Sequence, residues 1–398
     1  MNRLFVAFVS LFLASCSGEH GRVQEDIPDH VHETENLTIF PLDTEPVYDI
    51  ELLPEQTFGD TGEPYLRNVM DSRVDDKGRV LIKELISINE QPLHVYNPDG
   101  SYRTQVGRIG RGPGEYGMVS TFSVSADKLF VYDQSNRRLN IYDSETYTFE
   151  GTVKLEDWSV WNHEAEQNMR LFRFYTRDDG NLIAHFYNGL NPTADSVRQT
   201  FMLVNSDGDV LNPELLEIPD GYSIMRGGQR MRLVVPSVIG GSSIFALSGD
   251  GTMYAAGPDG FLIKKFDDQG RYQSAFYYPV KAPPHDYESS FGGGGTSANA
   301  PSSIRQQPSH TGEIEVPDTN PVFVEMRADD ENRIWVRVRT EDQVTEWWVL
   351  DHSGKLLARF HWPRRIYEIQ NGYLYSGFSG FGEEAGKVIR YRIELTER

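Results

Sequence analysis

The stretch VYNPDGSYRTQV, Val95 to Val106, sets an apolar run against an alternating one across a four-residue turn, Asn97-Pro98-Asp99-Gly100. The Asn caps its own backbone and the Gly accepts a positive φ, so such a turn closes a tight antiparallel hairpin. The same arrangement recurs as NSDG (Asn205–Gly208), DDQG (Asp267–Gly270) and DHSG (Asp351–Gly354), behind apolar strands such as FMLV, FLIKKF and WWVL. DSET (Asp143–Thr146) fills the same slot without its glycine. A second series of turns lies roughly twenty residues upstream of each member of the first. It comprises DDKG (Asp75–Gly78), SADK (Ser125–Lys128), DDG (Asp178–Gly180), SGDG (Ser248–Gly251) and DDENR (Asp329–Arg333).

The unit is therefore strand, tight turn, strand, loop, strand, tight turn, strand. Four antiparallel strands that recur along a chain make the blade of a β-propeller. Five such units run from Asn68 to Trp362, and the remainder at the C-terminus has room for only three strands. VYDIELLPEQ (Val47–Gln56), just before the first unit, supplies the missing outer strand. The expected fold is all-β: a six-bladed β-propeller of four-stranded antiparallel blades over residues 39–398, its last blade closed by an N-terminal strand so that no sheet edge is left free around the ring. The competing architecture is an open β-sandwich or two β-domains, with FGGGGTSANAPSS (Phe291–Ser303) as boundary. The repeat resumes behind that stretch in register, which makes it an inserted loop.

In this topology the tight turns gather on one face. The long connections, Gly107–Ser120, Leu155–Asn168, Pro219–Gly241 and Lys281–Pro321, gather on the other, where variable loops suit recognition. The first of them contains GRIGRGPGEYG (Gly107–Gly117), with neither the Gly-Lys-Ser/Thr of a phosphate loop nor a following helix to hold an anion. Gly110, Gly112, Pro113 and Gly114 are expected to form a compact structural turn, and Arg108, Arg111 and Glu115 either pair with one another or touch a ligand. Most aromatics are expected to fill the gaps between blades, as with Trp347 and Trp348, where alternation would bury one and expose the other. Trp158 and Trp161, in a long connection, instead suit a sugar ring or a protein partner, against simple loop packing. Arg226, Arg230 and Arg232 could grip a carboxylate or sulfate, or neutralise the protein's own acids.

GRIGRGPGEYG behind VYNPDGSYRTQV resembles a stretch of bacterial six-bladed β-propeller lipoproteins related to NHL-repeat and TolB-like propellers. The resemblance implies the fold from about Phe40 onward, with Gly110, Gly112, Pro113, Gly114 and Glu115 as the matching positions, and attaches no catalytic set to them. Some hydrolytic propellers, lactonases among them, hold calcium in the channel through Asp, Asn and Glu of inner strands. Asn68, Glu325 and Glu368 stand loosely in such places, and Arg173 on the third inner strand would oppose a metal; the competing reading is a channel of polar residues paired with one another and with water. No Gly-x-Ser-x-Gly elbow or nucleophile–base pair is evident.

The chain opens Met1-Asn2-Arg3, continues with an apolar run from Leu4 to Leu13, and reaches Leu13-Ala14-Ser15-Cys16, which contains the only cysteine. That run is too short to cross a bilayer core of about 30 Å, so residues 1–15 read as an export signal. Leu-Ala-Ser-Cys resembles a lipobox, with Cys16 as the acylated residue. Residues 16–38 are polar and acidic without periodicity and read as a flexible tether; His30 and His32 within it lack further ligands for a metal. The formal charge of −21 speaks against nucleic acid.

The expectation is thus a monomeric binding or interaction module, held by its lipid in the envelope of a Gram-negative bacterium, periplasmic or outer-membrane. Its partner would be a protein, a glycan or a small molecule. The alternative is a calcium-assisted propeller hydrolase or lyase.

Overall fold

Strands and tight turns alternate from Tyr48 to the C-terminus and assemble into six four-stranded antiparallel sheets. The computed structural model describes residues 27–60, 64–87, 90–125, 127–154, 170–187, 198–220, 224–226, 233–235, 243–258, 260–284, 319–342, 344–378 and 386–398. The innermost strands of blades one to six are Val69–Val74, Val119–Val124, Arg170–Thr176, Ile244–Leu247, Phe323–Ala328 and Arg365–Gln370. The outermost are Tyr102–Val106, Phe149–Lys154, Val210–Pro219, Tyr272–Tyr278, Leu356–Phe360 and, for blade six, the N-terminal strand Tyr48–Phe58. This last strand runs antiparallel to Lys387–Glu397, from Tyr48 opposite Glu397 to Phe58 opposite Val388. The fold is the expected one, a six-bladed propeller whose ring is closed by strands from both ends of the chain.

The body begins earlier than residue 39, however. Asp29–His32 form one helical turn with Val31 fully buried, and Leu37–Ile39 add a fifth, parallel strand to the outer edge of blade four, opposite Ala275–Tyr277. Phe40 then stacks on Tyr278, with ring centroids 4.9 Å apart. The later part of the stretch expected to be a tether is therefore folded.

The core is divided among the seams between blades. Six apolar clusters are found among the described residues, each built from two adjoining blades. A blade strand is consequently covered on both sides, which overturns the expectation that alternation would bury one of Trp347 and Trp348 and expose the other. Both are buried: Trp347 lies in the seam of blades five and six, Trp348 in that of blades four and five.

The tight turns form as the sequence expects. In the turns led by Asp75, Asn205, Asp267, Asp329 and Asp351 the leading side-chain oxygen accepts backbone N–H groups two and four residues on, as Asp75 does from Lys77 and Arg79, and Asp267 from Gln269 and Arg271. The glycines of the outer turns have a second task, because each lies against the outermost strand of the preceding blade. A Cβ on Gly270 would stand 1.7 Å from the Leu215 carbonyl oxygen, one on Gly208 2.3 Å from Val153, and one on Gly354 2.4 Å from Phe276. All three have φ near +80 to +90°.

In the seam of blades three and four, His185 is 4% exposed and stacks on Phe201 at 4.3 Å. Neither ring nitrogen has a partner in hydrogen-bond geometry. Burial, and then the field of Arg173, pushes its pKa down to about 3.

Two outcomes follow from this packing. Gly270→Ala should lower stability by about 2–4 kcal/mol, from the positive φ and the backbone collision together. Gly180→Ala, at φ +80° with open space around it, should lose only about 1 kcal/mol; equal losses in chemical denaturation would contradict the seam role. His185 is held neutral in the fold, so its contribution is complete above the unfolded pKa of ~6.5 and is lost as pH falls from there toward the folded value. Between pH 7.5 and 5 the wild type should therefore lose about 2 kcal/mol more than His185→Phe, which keeps the ring but does not titrate.

Candidate functional site: a channel lined by arginines

The inner strands converge on the propeller axis, and what they present there depends on a repeated irregularity. In blades one, three, five and six the pairing of the first two strands slips by one residue, between Val69 and Asp71, Leu171 and Arg173, Phe323 and Glu325, and Ile366 and Glu368. Blade two slips likewise, leaving Ser120 between Val119 and Thr121. A bulge of this kind re-aims the side chains that follow it. The residue after each slip and the one two further on then share a side, giving Asp71 and Arg73, Thr121 and Ser123, Arg173 and Tyr175, Glu325 and Arg327, and Glu368 and Gln370.

A cavity of about 180 Å³ lies at the axis, and the inner strands of all six blades line it. Its polar wall consists of Arg73, Ser123, Arg173, Tyr175, Thr176, Arg327, Glu368 and Gln370; Phe174, Phe245 and Met326 are among the apolar residues. Most of these come from the later parts of their strands, next to the tight turns between first and second strands. The cavity thus sits toward the tight-turn face, away from the long connections.

The three guanidiniums differ in their company. Arg73 donates to Asp71 and to the Ser72 carbonyl at 2.8 and 2.7 Å, and its Nε is 3.9 Å from Glu368. Arg327 donates to Glu325 through Nε at 2.9 Å and through Nη2 at 2.5 Å, and to the Tyr367 carbonyl at 2.8 Å. Arg173 has no ion-pair partner among the described residues; its guanidinium lies 5.9 Å from the Phe172 ring. Lys83, reaching in from the second strand of blade one, donates to the Val119 and Ser120 carbonyls exposed by the bulge of blade two.

The titration shifts follow from this layout. Burial acting alone would raise the pKa of Asp71, but Arg73, Arg173, Lys83 and Arg365 hold it far below the ordinary carboxylate range. Glu368 goes the other way: burial raises its pKa and the nearby arginines only partly oppose that. Burial, reinforced by Arg73, lowers the pKa of Arg173.

Of the residues expected in the channel, Arg173 and Glu368 line the cavity and Glu325 holds one of its arginines. Asn68 does not take part; its amide donates to the Leu85 carbonyl beside the blade. Asp71, Arg73 and Arg327 were not among the expected residues, although the repeated acid-x-Arg of Asp71-Ser72-Arg73 and Glu325-Met326-Arg327 marks them. For calcium the donor set is poor. Glu325 is engaged by Arg327, Glu368 faces Arg73, and a divalent cation would meet three guanidiniums.

GRIGRGPGEYG lies at the other end and is braced by its own contacts. Arg108–Ile109 pair in parallel with Glu115–Tyr116, and the Glu115 carboxylate accepts from Arg108 Nε at 2.6 Å and from the Gly112 N–H at 2.7 Å. Arg138 of blade two donates to the Gly112 and Glu115 carbonyls, and the Tyr142 hydroxyl to that of Gly114. A Cβ on Gly110 would stand 2.1 Å from Glu115 Oε2. Pro113 and Arg111 are exposed. Arg226 ends a short strand, Ile224–Arg226, paired with Leu233–Val235. Cys16, Trp158, Trp161, Arg230 and Arg232 lie outside the described residues.

Residues 72–215 match the DUF5128 family model, described as a 6-bladed beta-propeller. No curated protein sequence matches the chain. Among solved structures, a protein of Bacteroides fragilis NCTC 9343 described as exported is similar at 14% identity with a TM-score of 0.49, over 91% of this chain and 100% of that one. A calcium-binding regucalcin of Agrobacterium tumefaciens C58 is similar at 14% identity and TM-score 0.42, over 91% and 97%. Virginiamycin B lyase of Staphylococcus aureus is similar at 12% identity and TM-score 0.40, over 88% and 89%. The partial family match and the six closed sheets agree on the architecture, a six-bladed β-propeller.

Proposed function

We propose that the chain is a binding propeller of the extracytoplasmic space, tethered to the envelope of a Gram-negative bacterium through a lipid on Cys16, and that its ligand site is the axial cavity. The observation that carries this reading is the cavity itself, to which all six inner strands contribute side chains. Sites built on paired strands hold their groups more firmly than sites on loops. Concave pockets with a few convergent polar groups are where small ligands bind. We therefore place the ligand at the tight-turn end, opposite the face first expected.

The anchoring half of the proposal rests on the N-terminal sequence, with its short apolar run ending in Leu-Ala-Ser-Cys. No helix among the described residues is long and apolar enough to cross a membrane. The formal charge of −21 disfavours nucleic acid, and we read the propeller as a monomer. The hydrolase or lyase reading is set aside because its calcium would sit among arginines.

Cys16→Ser should abolish incorporation of labelled fatty acid and move the protein from the detergent to the aqueous phase on phase partition; unchanged partition would refute the lipid anchor. For the cavity, a small molecule that raises the Tm of the wild type should fail to do so in Ala328→Trp, which sets an indole into the cavity wall. Equal stabilisation of both proteins would move the site elsewhere.

A further inference from the structure

We infer that the channel takes a small ligand by an oxyanion, a carboxylate or phosphate, gripped between the guanidiniums of Arg173, Arg73 and Arg327. This rests on the axial cavity being the binding site and adds the chemistry that it selects. The cavity wall carries three guanidiniums, Arg73, Arg173 and Arg327, against one carboxyl, Glu368, while Asp71 and Glu325 each pair with one of the arginines. A protein of formal charge −21 has thus gathered a basic surplus at its axis. Neutralising its own surface acids would not require arginines here.

The arrangement within that surplus is selective. Asp71 and Glu325 each fix one arginine from two residues away on the same strand, so Arg73 and Arg327 are oriented before any ligand arrives. Arg173, on the strand of blade three, is without an ion-pair partner among the described residues and is aimed into the same cavity. A half-buried guanidinium left without a counter-ion in such a wall is unfavourable, and an anion that enters relieves it. The one carboxyl in the cavity wall, Glu368, stays 3.9 Å from Arg73 Nε, beyond hydrogen-bond distance, and its charged form is disfavoured by burial. Guanidiniums in fork geometry bind carboxylate and phosphate oxygens in pairs. Ser123, Tyr175 and Gln370 add neutral hydrogen-bonding groups around them.

Calorimetric titration of the full chain with succinate, inorganic phosphate and uncharged succinamide tests this. At least one anion should bind with a Kd below ~1 mM, and succinamide at least about tenfold more weakly. The preference between succinate and phosphate identifies which oxyanion the cavity suits. Arg173→Met should weaken the anion about tenfold or more, Arg173→Lys should weaken it less, and Glu368→Gln should strengthen it. Absence of binding by both anions, equal binding of succinate and succinamide, or an affinity unmoved by Arg173→Met would each overturn the inference. The comparison of succinate with succinamide needs no variant, so a misfolded Arg173→Met leaves the test standing. Should the anions fail while neutral molecules still stabilise the wild type and not Ala328→Trp, the cavity remains the site and only its chemistry is refuted. Should no ligand distinguish those two proteins, the site assignment itself falls.

Discussion

The ring depends on how closely one blade can approach the next. At the outer turns of blades one, three, four and five, the turn glycine lies so near the preceding blade's outer strand that no side chain fits. Around Gly100 the neighbour is Gln56 and Thr57 of the closing strand; around Gly270 it is the backbone of Leu215 itself. The positive φ that closes the hairpin and the missing Cβ that admits the neighbour are demanded of the same residue. Blade two meets the demand differently. Its turn has no glycine, Tyr147 adopts φ +57°, and Glu145 reaches back to Lys77, Arg79 and Arg103 of blade one. An ion-pair cluster there does what close backbone packing does elsewhere.

Because the seams are filled by apolar side chains from both neighbours, polar chemistry is pushed to the rims and the axis. At the axis the bulges decide what appears. Without the slip after Val69 the alternation would point Met70 and Ser72 inward; with it, Asp71 and Arg73 face the channel. The same device in blades three, five and six delivers Arg173, Glu325 and Glu368. Charges concentrated in so narrow a space must be compensated, and they are, except at Arg173 and, in part, Glu368. The unevenness of that compensation gives the channel its character.

Much of the fold could be read from the chain because its turns are chemically explicit. Asp or Asn followed three residues later by Gly marks a hairpin in most of the units, and the hairpins mark out five blades, with the three-strand remainder and the N-terminal strand left to close a sixth. Positions whose environment differs from an isolated sheet were harder. Trp347 and Trp348 looked like alternate sides of a half-exposed strand, yet a blade has neighbours on both sides. Leu37–Ile39 escaped notice because three residues carry no periodicity and the surrounding sequence is polar. The channel was half legible for a related reason: counting by twos from Asn68 leads to the wrong side of the strand once a bulge intervenes. Arg173 and Glu368 were found, while Arg73 and Asp71 were passed over.

The rim strand Leu37–Ile39 has a mechanical consequence. It joins blade four by three residue pairs, Leu37 with Ala275, Thr38 with Phe276 and Ile39 with Tyr277, whereas the closing strand is paired along its length with the far end of the chain in blade six. A pull on the polypeptide upstream of residue 27 therefore loads the short parallel pairing first. Should that give way, the segment up to Val47 pays out as slack before tension reaches Tyr48. The ring is in this way insulated from a pull on the N-terminal segment, and force that would otherwise unzip the sixth blade is spent at the edge of the fourth.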